Sequence, residues 1–198
     1  MKQFKLFFLF LSMLSMPGII TAETKTLKVD TKNSNIAWVG KKIAGQHNGS
    51  LSLSDGKVIV SNQKLAGGEF TIDLNSLSCE DLTDEGYNKK LIGVIKSKDF
   101  FDIINFPTAT VKINKVEKYT ATEDKYKVIA DVTIKGITNP VTFNAFFSAK
   151  DNKYSGNAAI VIDRTKWDIK YGSASFFDNI GDRAIKDEIE LNVSLKTN

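Results

Sequence analysis

The stretch KYKVIADVTIKGITNPVTFNAFF, residues 125–147, decides the fold. Tyr126, Val128, Ala130, Val132 and Ile134 fall on one parity, and Lys127, Asp131, Thr133 and Lys135 fall mainly on the other. This two-residue period is that of a strand with one buried face. Gly136 and Asn139-Pro140 signal a turn, and the alternation resumes with Val141, Phe143, Ala145 and Phe147 opposite Thr142 and Asn144. The segment therefore reads as two strands joined by a short turn. A chain that repeats this device must place one apolar face inside something, and its function depends on whether that interior is solid or holds a guest.

The same alternation recurs on both sides. Ile36 and Trp38 share a parity in a first strand, and residues 45–49 read as a loop carrying His47. Asp55-Gly56 accepts positive φ at both turn positions and predicts a two-residue hairpin. Gly67-Gly68 predicts another turn, ahead of a strand with Phe70, Ile72 and Leu74 on one face. Later strands carry Val111 and Ile113, then Ala158, Ile160 and Ile162 after a turn at Asp151-Asn152, and finally Ile189, Leu191, Val193 and Leu195.

One segment changes period. Tyr87, Leu91, Val94 and Ile95 recur at helical spacing, with Asp84 and Glu85 at the start and Lys96 and Lys98 near the end, which predicts a short amphipathic helix. The aromatic connector DFFDIINFP follows, in which Phe100, Phe101 and Phe106 need cover and Pro107 prevents a helix from continuing. It is expected to pack over an end of the sheet. Residues 164–183 form an irregular loop with Trp167, Tyr171, Phe176 and Phe177, a kind of segment that serves function or structural cover. About eight or nine strands with mostly tight turns describe an antiparallel meander, which either packs on a second sheet or closes on itself.

The N-terminus predicts export. Lys2 and Lys5 precede the apolar run from Leu6 to Leu14, and Ile20-Thr21-Ala22 supplies a processing site, so residues 1–22 read as a signal peptide. Ser12, Ser15, Pro17 and Gly18 interrupt the run well short of the roughly twenty apolar residues of a membrane span. No cysteine stands near the processing site to carry a lipid anchor. Residues 23–198 are then one domain, in a periplasmic or secreted setting. Without Lys2 and Lys5 the basic count falls from 27 to 25 against 23 acidic residues, a formal charge of +2. The bases are scattered, with no run resembling a nucleic-acid patch.

Cys79 and His47 are the only residues of their types, so no internal disulfide forms, and zinc sites of the Cys/His type and Cys-His catalysis lack partners. Carboxylate pairs such as Asp81 with Asp84 or Asp182 with Asp187 have only local spacing to recommend them. Ser173 and Ser175 sit in no nucleophile elbow, and no phosphate-cradling glycine motif is present. No catalytic residue, cofactor or metal ligand is assigned.

Five ordered blocks, GKKIAGQHNGSLSLSDGKVIV, LAGGEFTIDLNSLSCEDL, IKSKDFFDIINFPTATVKI, ADVTIKGITNPVTF and IDRTKWDIKYGSASFFDNIGDRAIKDEIELNV, resemble the successive blocks of the YceI-like family over residues 26–196. The resemblance implies an all-β fold: an antiparallel, lipocalin-like closed barrel of about eight strands with one short helix in a crossover. It also implies an apolar pore, open at one end, holding an isoprenoid tail with its polar head near the mouth. The chain departs from the family at the helix, with Leu91-Ile92 where many members carry Arg-Asp and Val94 where His is frequent. Head-group contacts that other members make there are not carried over.

The inward parity nominates Trp38, Phe70, Ile72, Val111, Ile113, Val132, Ile134, Phe143, Ala145, Ile160 and Ile162 as pore residues. Phe101 and Phe177 are nominated as contacts near the mouth. Each of these is equally a plain core residue in a filled barrel. Arg164, Lys170 and Arg183 are the candidates for meeting a phosphate head group, while pairing of Arg164 with Asp163 or Asp182 would instead hold the loop. Lys42 and His47 are further candidates. The expected activity is non-enzymatic sequestration or transport of an isoprenoid-type amphiphile, a polyprenyl phosphate or a quinone-like molecule. No nucleic acid and no stable membrane insertion are expected, and a homodimer is left open. The alternatives are an envelope interaction module with a filled core and, third, an enzyme acting on a lipid.

Overall fold

A computed structural model describes residues 23–120, 124–150 and 153–198. The expected signal peptide and the turn at Asp151-Asn152 lie outside the described residues. Among the described residues nine strands, β1 Thr24–Lys28, β2 Asn35–Lys42, β3 Gly45–Ser61, β4 Lys64–Asp73, β5 Thr108–Lys118, β6 Lys125–Ile134, β7 Ile137–Lys150, β8 Lys153–Asp163 and β9 Ile185–Lys196, form one antiparallel sheet, with helix α1 at Glu85–Lys96. Its order is β1-β3-β2-β9-β8-β7-β6-β5-β4, and β4 pairs back onto β3 to close the ring. β1 and β2 lie along the same edge of β3, the first against Lys57–Ser61 and the second against Gly45–Leu51. They act as one interrupted stave, so the barrel has eight walls. Closure gives each stave a partner on both sides, removing the edges that would template aggregation.

Residues 125–147 form β6 and β7. Along β6 every even position from Tyr126 to Ile134 is buried, as the alternation predicts. The turn is Lys135-Gly136, both with positive φ (50° and 74°), and not Asn139-Pro140. Asn139 and Pro140 sit inside β7, where Pro140 faces Asp131 of β6. β7 does not pair with β8 until Asn144. Proline is thus accommodated in a stretch paired on one side only.

Asp55-Gly56 is not a hairpin either. β3 runs through it as a single 17-residue strand, and its turn to β4 is Asn62-Gln63, with φ of 49° and 62°. Leu53 faces Ile72 and Asp55 faces Thr71, which leaves Ser54 as an extra residue, a β-bulge. The bulge switches the inward parity of β3 from Leu51 and Leu53 to Val58 and Val60. Gly67-Gly68 also lies within a strand, β4, beside a second irregularity. These glycines make room instead of turns: a Cβ on Gly56 would stand 3.0 Å from Val29 Cγ2, and one on Gly68 would stand 2.9 Å from the Phe70 ring. Residues 45–49, expected as a loop, begin β3 and pair with β2, His47 facing Gly40.

The ends of β2, β4, β6 and β8 and the starts of β3, β5, β7 and β9 gather at one end of the barrel, where α1, the connector of residues 97–107 and the loop of residues 164–184 also lie. α1 starts at the N-cap Asp84, whose carboxylate accepts from Tyr87 N–H at 2.9 Å. It buries Ile95 against the barrel, whereas Tyr87, expected on the buried face, is 69% exposed. Of the helix, Leu91 and Ile95 line the barrel cavity. In the connector Phe100 is buried, and Phe100 and Phe101 pack edge to face with centroids 5.1 Å apart. Among the described residues no helix is long and apolar enough to cross a membrane.

Candidate ligand cavity and its rim

The barrel interior holds an apolar cavity of about 260 Å³. Its wall includes Trp38, Phe70, Ile72, Phe101, Val111, Ile113, Val132, Ile134, Phe143, Ala145, Ile160 and Ile162, so the strand positions nominated from parity converge on one space. Leu91 and Ile95 of α1 and Phe100 of the connector supply the wall at the helix end. Away from the helix end, Phe147 and Tyr154 stack with centroids 5.8 Å apart. Leu51, Leu53, Val58 and Val128, not among the nominated pore residues, also line the space. For the β3 residues the parity signal is present in the sequence, but a hairpin at Asp55-Gly56 would cut it in two.

The irregular loop does not put its aromatic and basic residues where the sequence suggests. Phe177 is 53% exposed and is not part of the cavity wall. Lys170 and Arg183 also lie off the wall. Lys170 pairs with Asp168 at 2.7 Å and lies over the Phe176 ring. The loop uses Trp167, Ile169 and Ser173 as its inward residues, each almost fully buried, and this sends their neighbours outward. Trp167 donates through Nε1 to Val132 O at 3.1 Å, tying the loop to the end of β6.

Arg164 reaches the wall, but its donors are engaged by protein. It is fully buried and bonds Lys186 O at 3.2 Å, Ile169 O at 2.7 Å, Ile185 O at 3.1 Å and Asp187 Oδ1 at 3.3 Å. Burial pulls its pKa below the ordinary guanidinium value, while Asp187 and Asp163 pull it up. Its ion-pair partner is Asp187, not Asp163 or Asp182. Among the described residues that line the cavity, the exposed cations at the helix-end rim are Lys42 and Lys186, with Lys41 paired to Glu190.

His47 also lies on this rim. Residues 78–81 run along the part of β3 that β4 does not cover, held by Ser78 N–H to Ser50 O at 3.0 Å, Glu80 N–H to Asn48 O at 2.8 Å and Trp38 Nε1–H to Ser78 O at 3.0 Å. Gly49 permits this approach, since a Cβ there would stand 2.0 Å from Ser78 O. Asp81 accepts from Asn48 N–H at 2.8 Å, His47 Nδ1–H at 2.8 Å and the Cys79 thiol at 3.3 Å. Burial raises the Asp81 pKa, but these hydrogen bonds outweigh it and hold the carboxyl at about 2. Burial pushes the Cys79 thiol up. Sequence spacing pairs Asp81 with Asp84, whereas the fold makes Asp84 a helix cap and gives Asp81 the histidine and the cysteine.

The sequence profile of the YceI-like domain matches residues 27–197. The chain belongs to the YceI-like family. A relative, the UPF0312 protein of Yersinia pestis (strain Pestoides F), is 29% identical over 104 residues, covering 52% of this chain and 50% of the relative. The chain thus spans about half the length of the relatives of this kind that it matches. Among solved structures, Burkholderia cenocepacia BcnA superposes with a TM-score of 0.67 at 25% identity, over 86% of this chain and 99% of that one. A polyisoprenoid binding domain from Saccharophagus degradans, implicated in plant cell wall breakdown, gives 0.60 at 13% identity over 86% and 96% of the two chains. At that identity the likeness concerns the fold, an eight-stave closed barrel with one helix.

Proposed function

We propose that this YceI-like chain is a non-enzymatic carrier that sequesters or shuttles an isoprenoid-type amphiphile, a polyprenyl phosphate or quinone-like molecule, in the bacterial periplasm, with residues 1–22 removed and residues 23–198 forming the working domain. The observation that carries the reading is an apolar space of about 260 Å³ inside a barrel whose other inward residues are well buried. Each buried CH₂ contributes roughly 0.8 kcal/mol, so about a dozen offset the roughly 4–15 kcal/mol lost in association freedom. Such walls need no hydrogen-bonding code to hold a branched hydrocarbon tail. The polyisoprenoid-binding likeness supports this ligand class. The rim cations Lys42 and Lys186 suit an anionic head left at the helix end.

The space also disfavours the filled-core interaction module. The test is displacement of an apolar fluorescent probe by polyprenyl phosphate, a quinone and inorganic phosphate. Displacement by the first two and not the third supports the carrier. A probe that never binds contradicts it. Ile134→Asp abolishes binding, provided far-UV circular dichroism shows the barrel intact, because an unpaired buried charge also destabilises the fold.

A further inference from the structure

The chain contains one histidine and one cysteine. They come from separate segments, His47 from the start of β3 and Cys79 from the strand-like run beside it, yet both meet the carboxylate of Asp81. The candidate donor atoms of the three residues all lie within 4.8 Å of one another. Imidazole, thiol and carboxylate together form a mixed, borderline-soft donor set, which selects zinc-like ions over magnesium or calcium.

We propose that His47, Cys79 and Asp81 bind one zinc-class divalent cation at the cavity rim, with the remaining coordination position open to water. Tetrahedral bonds of roughly 2.0–2.3 Å place donor atoms about 3.4–3.6 Å apart. The 2.8 Å contact between His47 Nδ1 and Asp81 Oδ2 therefore opens slightly, and no pair, all within 4.8 Å, has to close by more than about 1.4 Å. The frame tolerates such movement because it is anchored from outside the cluster. Asn48 N–H holds Asp81 Oδ1, and Glu80 N–H and Ser78 N–H hold the run to β3. A carboxylate oriented by a backbone donor is the outer-shell support that metal sites use. On binding, the Cys79 S–H bond breaks, its proton leaves to solvent and the thiolate pair goes to the cation. The His47–Asp81 hydrogen bond is replaced by one metal bond from each residue: the Nδ1–H bond breaks, Nε2 takes up a proton in exchange with solvent, and the ring stays neutral with its single N–H now on Nε2. Three protein ligands and an open fourth position is a recognised zinc arrangement. The alternative is that Asp81 acts only as a hydrogen-bonding hub for residues 78–81, and in that case the cluster has no affinity for the ion.

The test is titration of the reduced, metal-free protein with cobalt(II), followed by displacement with zinc. The expected result is one equivalent of cobalt producing a near-ultraviolet thiolate-to-cobalt charge-transfer band, which zinc abolishes. Cys79→Ser removes the band, and His47→Gln lowers zinc affinity by at least about tenfold. Both variants are checked for folding by far-UV circular dichroism. A protein that gives no band with excess cobalt, a band that survives Cys79→Ser, or zinc affinity unchanged in His47→Gln overturns the proposal. Apolar-probe binding, read in parallel, is independent of these outcomes, so failure of the metal site is distinguishable from failure of the carrier.

Discussion

The guanidinium of Arg164 lies over the ring of Phe100, 5.5 Å from its centroid, joining the base of the 164–184 loop to the aromatic connector at the helix end of the cavity. Arg164 is fully buried, and its hydrogen bonds go to three carbonyls and one carboxylate of the protein. Removing it leaves those acceptors without their donor. Arg164→Ala is expected to cost about 3–5 kcal/mol in urea unfolding, and Arg164→Lys an intermediate amount, because an ammonium cannot reproduce the planar fork. A cost within about 1 kcal/mol of zero for Arg164→Ala would mean that the loop is held by something else.

Two glycines give opposite expectations for the same substitution. Gly49→Ala places a Cβ 2.0 Å from Ser78 O and is expected to destabilise by at least about 1–3 kcal/mol. Gly93 lies in α1, where an added Cβ would meet nothing within 4 Å, so Gly93→Ala is expected to stabilise by about 0.5–1 kcal/mol. Paired denaturant titrations check both signs.

Tyr126 sets an alkaline limit on stability. It is 2% exposed, and burial raises its pKa above the ordinary value of 10.0, with a backbone hydrogen bond near Leu65 opposing. The folded state then keeps its proton where the unfolded chain loses it. Its contribution is complete below about pH 10 and is lost as pH rises from there through the raised folded pKa. Tyr126→Phe is expected to flatten this decline in a pH series of unfolding midpoints, and an unchanged slope would show that the hydroxyl titrates alike in both states.

The staves and cavity wall are legible in the sequence because a strand buried on one face writes its burial directly into odd and even positions. Val132, Ile134, Phe143 and Ile160 need nothing else. What misleads is local: Asp55-Gly56 and Gly67-Gly68 have turn composition, but in β3 and β4 their missing side chains admit Val29 and Phe70. The true turns, Asn62-Gln63 and Lys135-Gly136, depend on positive φ at residues with weaker signals. The loop misleads for a different reason, since no period tells which of its aromatics turn inward. Trp167 does and Phe177 does not. The meeting of His47, Cys79 and Asp81 depends on β3 extending through residues whose composition suggests a loop.

Ala158 faces the cavity, and Ala158→Phe fills part of it without adding a polar group. Volume added to empty space should leave stability within about 1.5 kcal/mol of the parent while lowering apolar-probe affinity at least about tenfold. Full affinity in a folded variant would place the probe outside the barrel.

The carrier account is tested most directly by organic extraction and mass spectrometry of the protein purified from its native host. The account predicts a co-purifying isoprenoid-type amphiphile near one per chain, absent from an Ile134→Asp variant that remains folded. Repeated recovery of protein with no hydrophobic ligand, or with the same lipids in the variant, would contradict it.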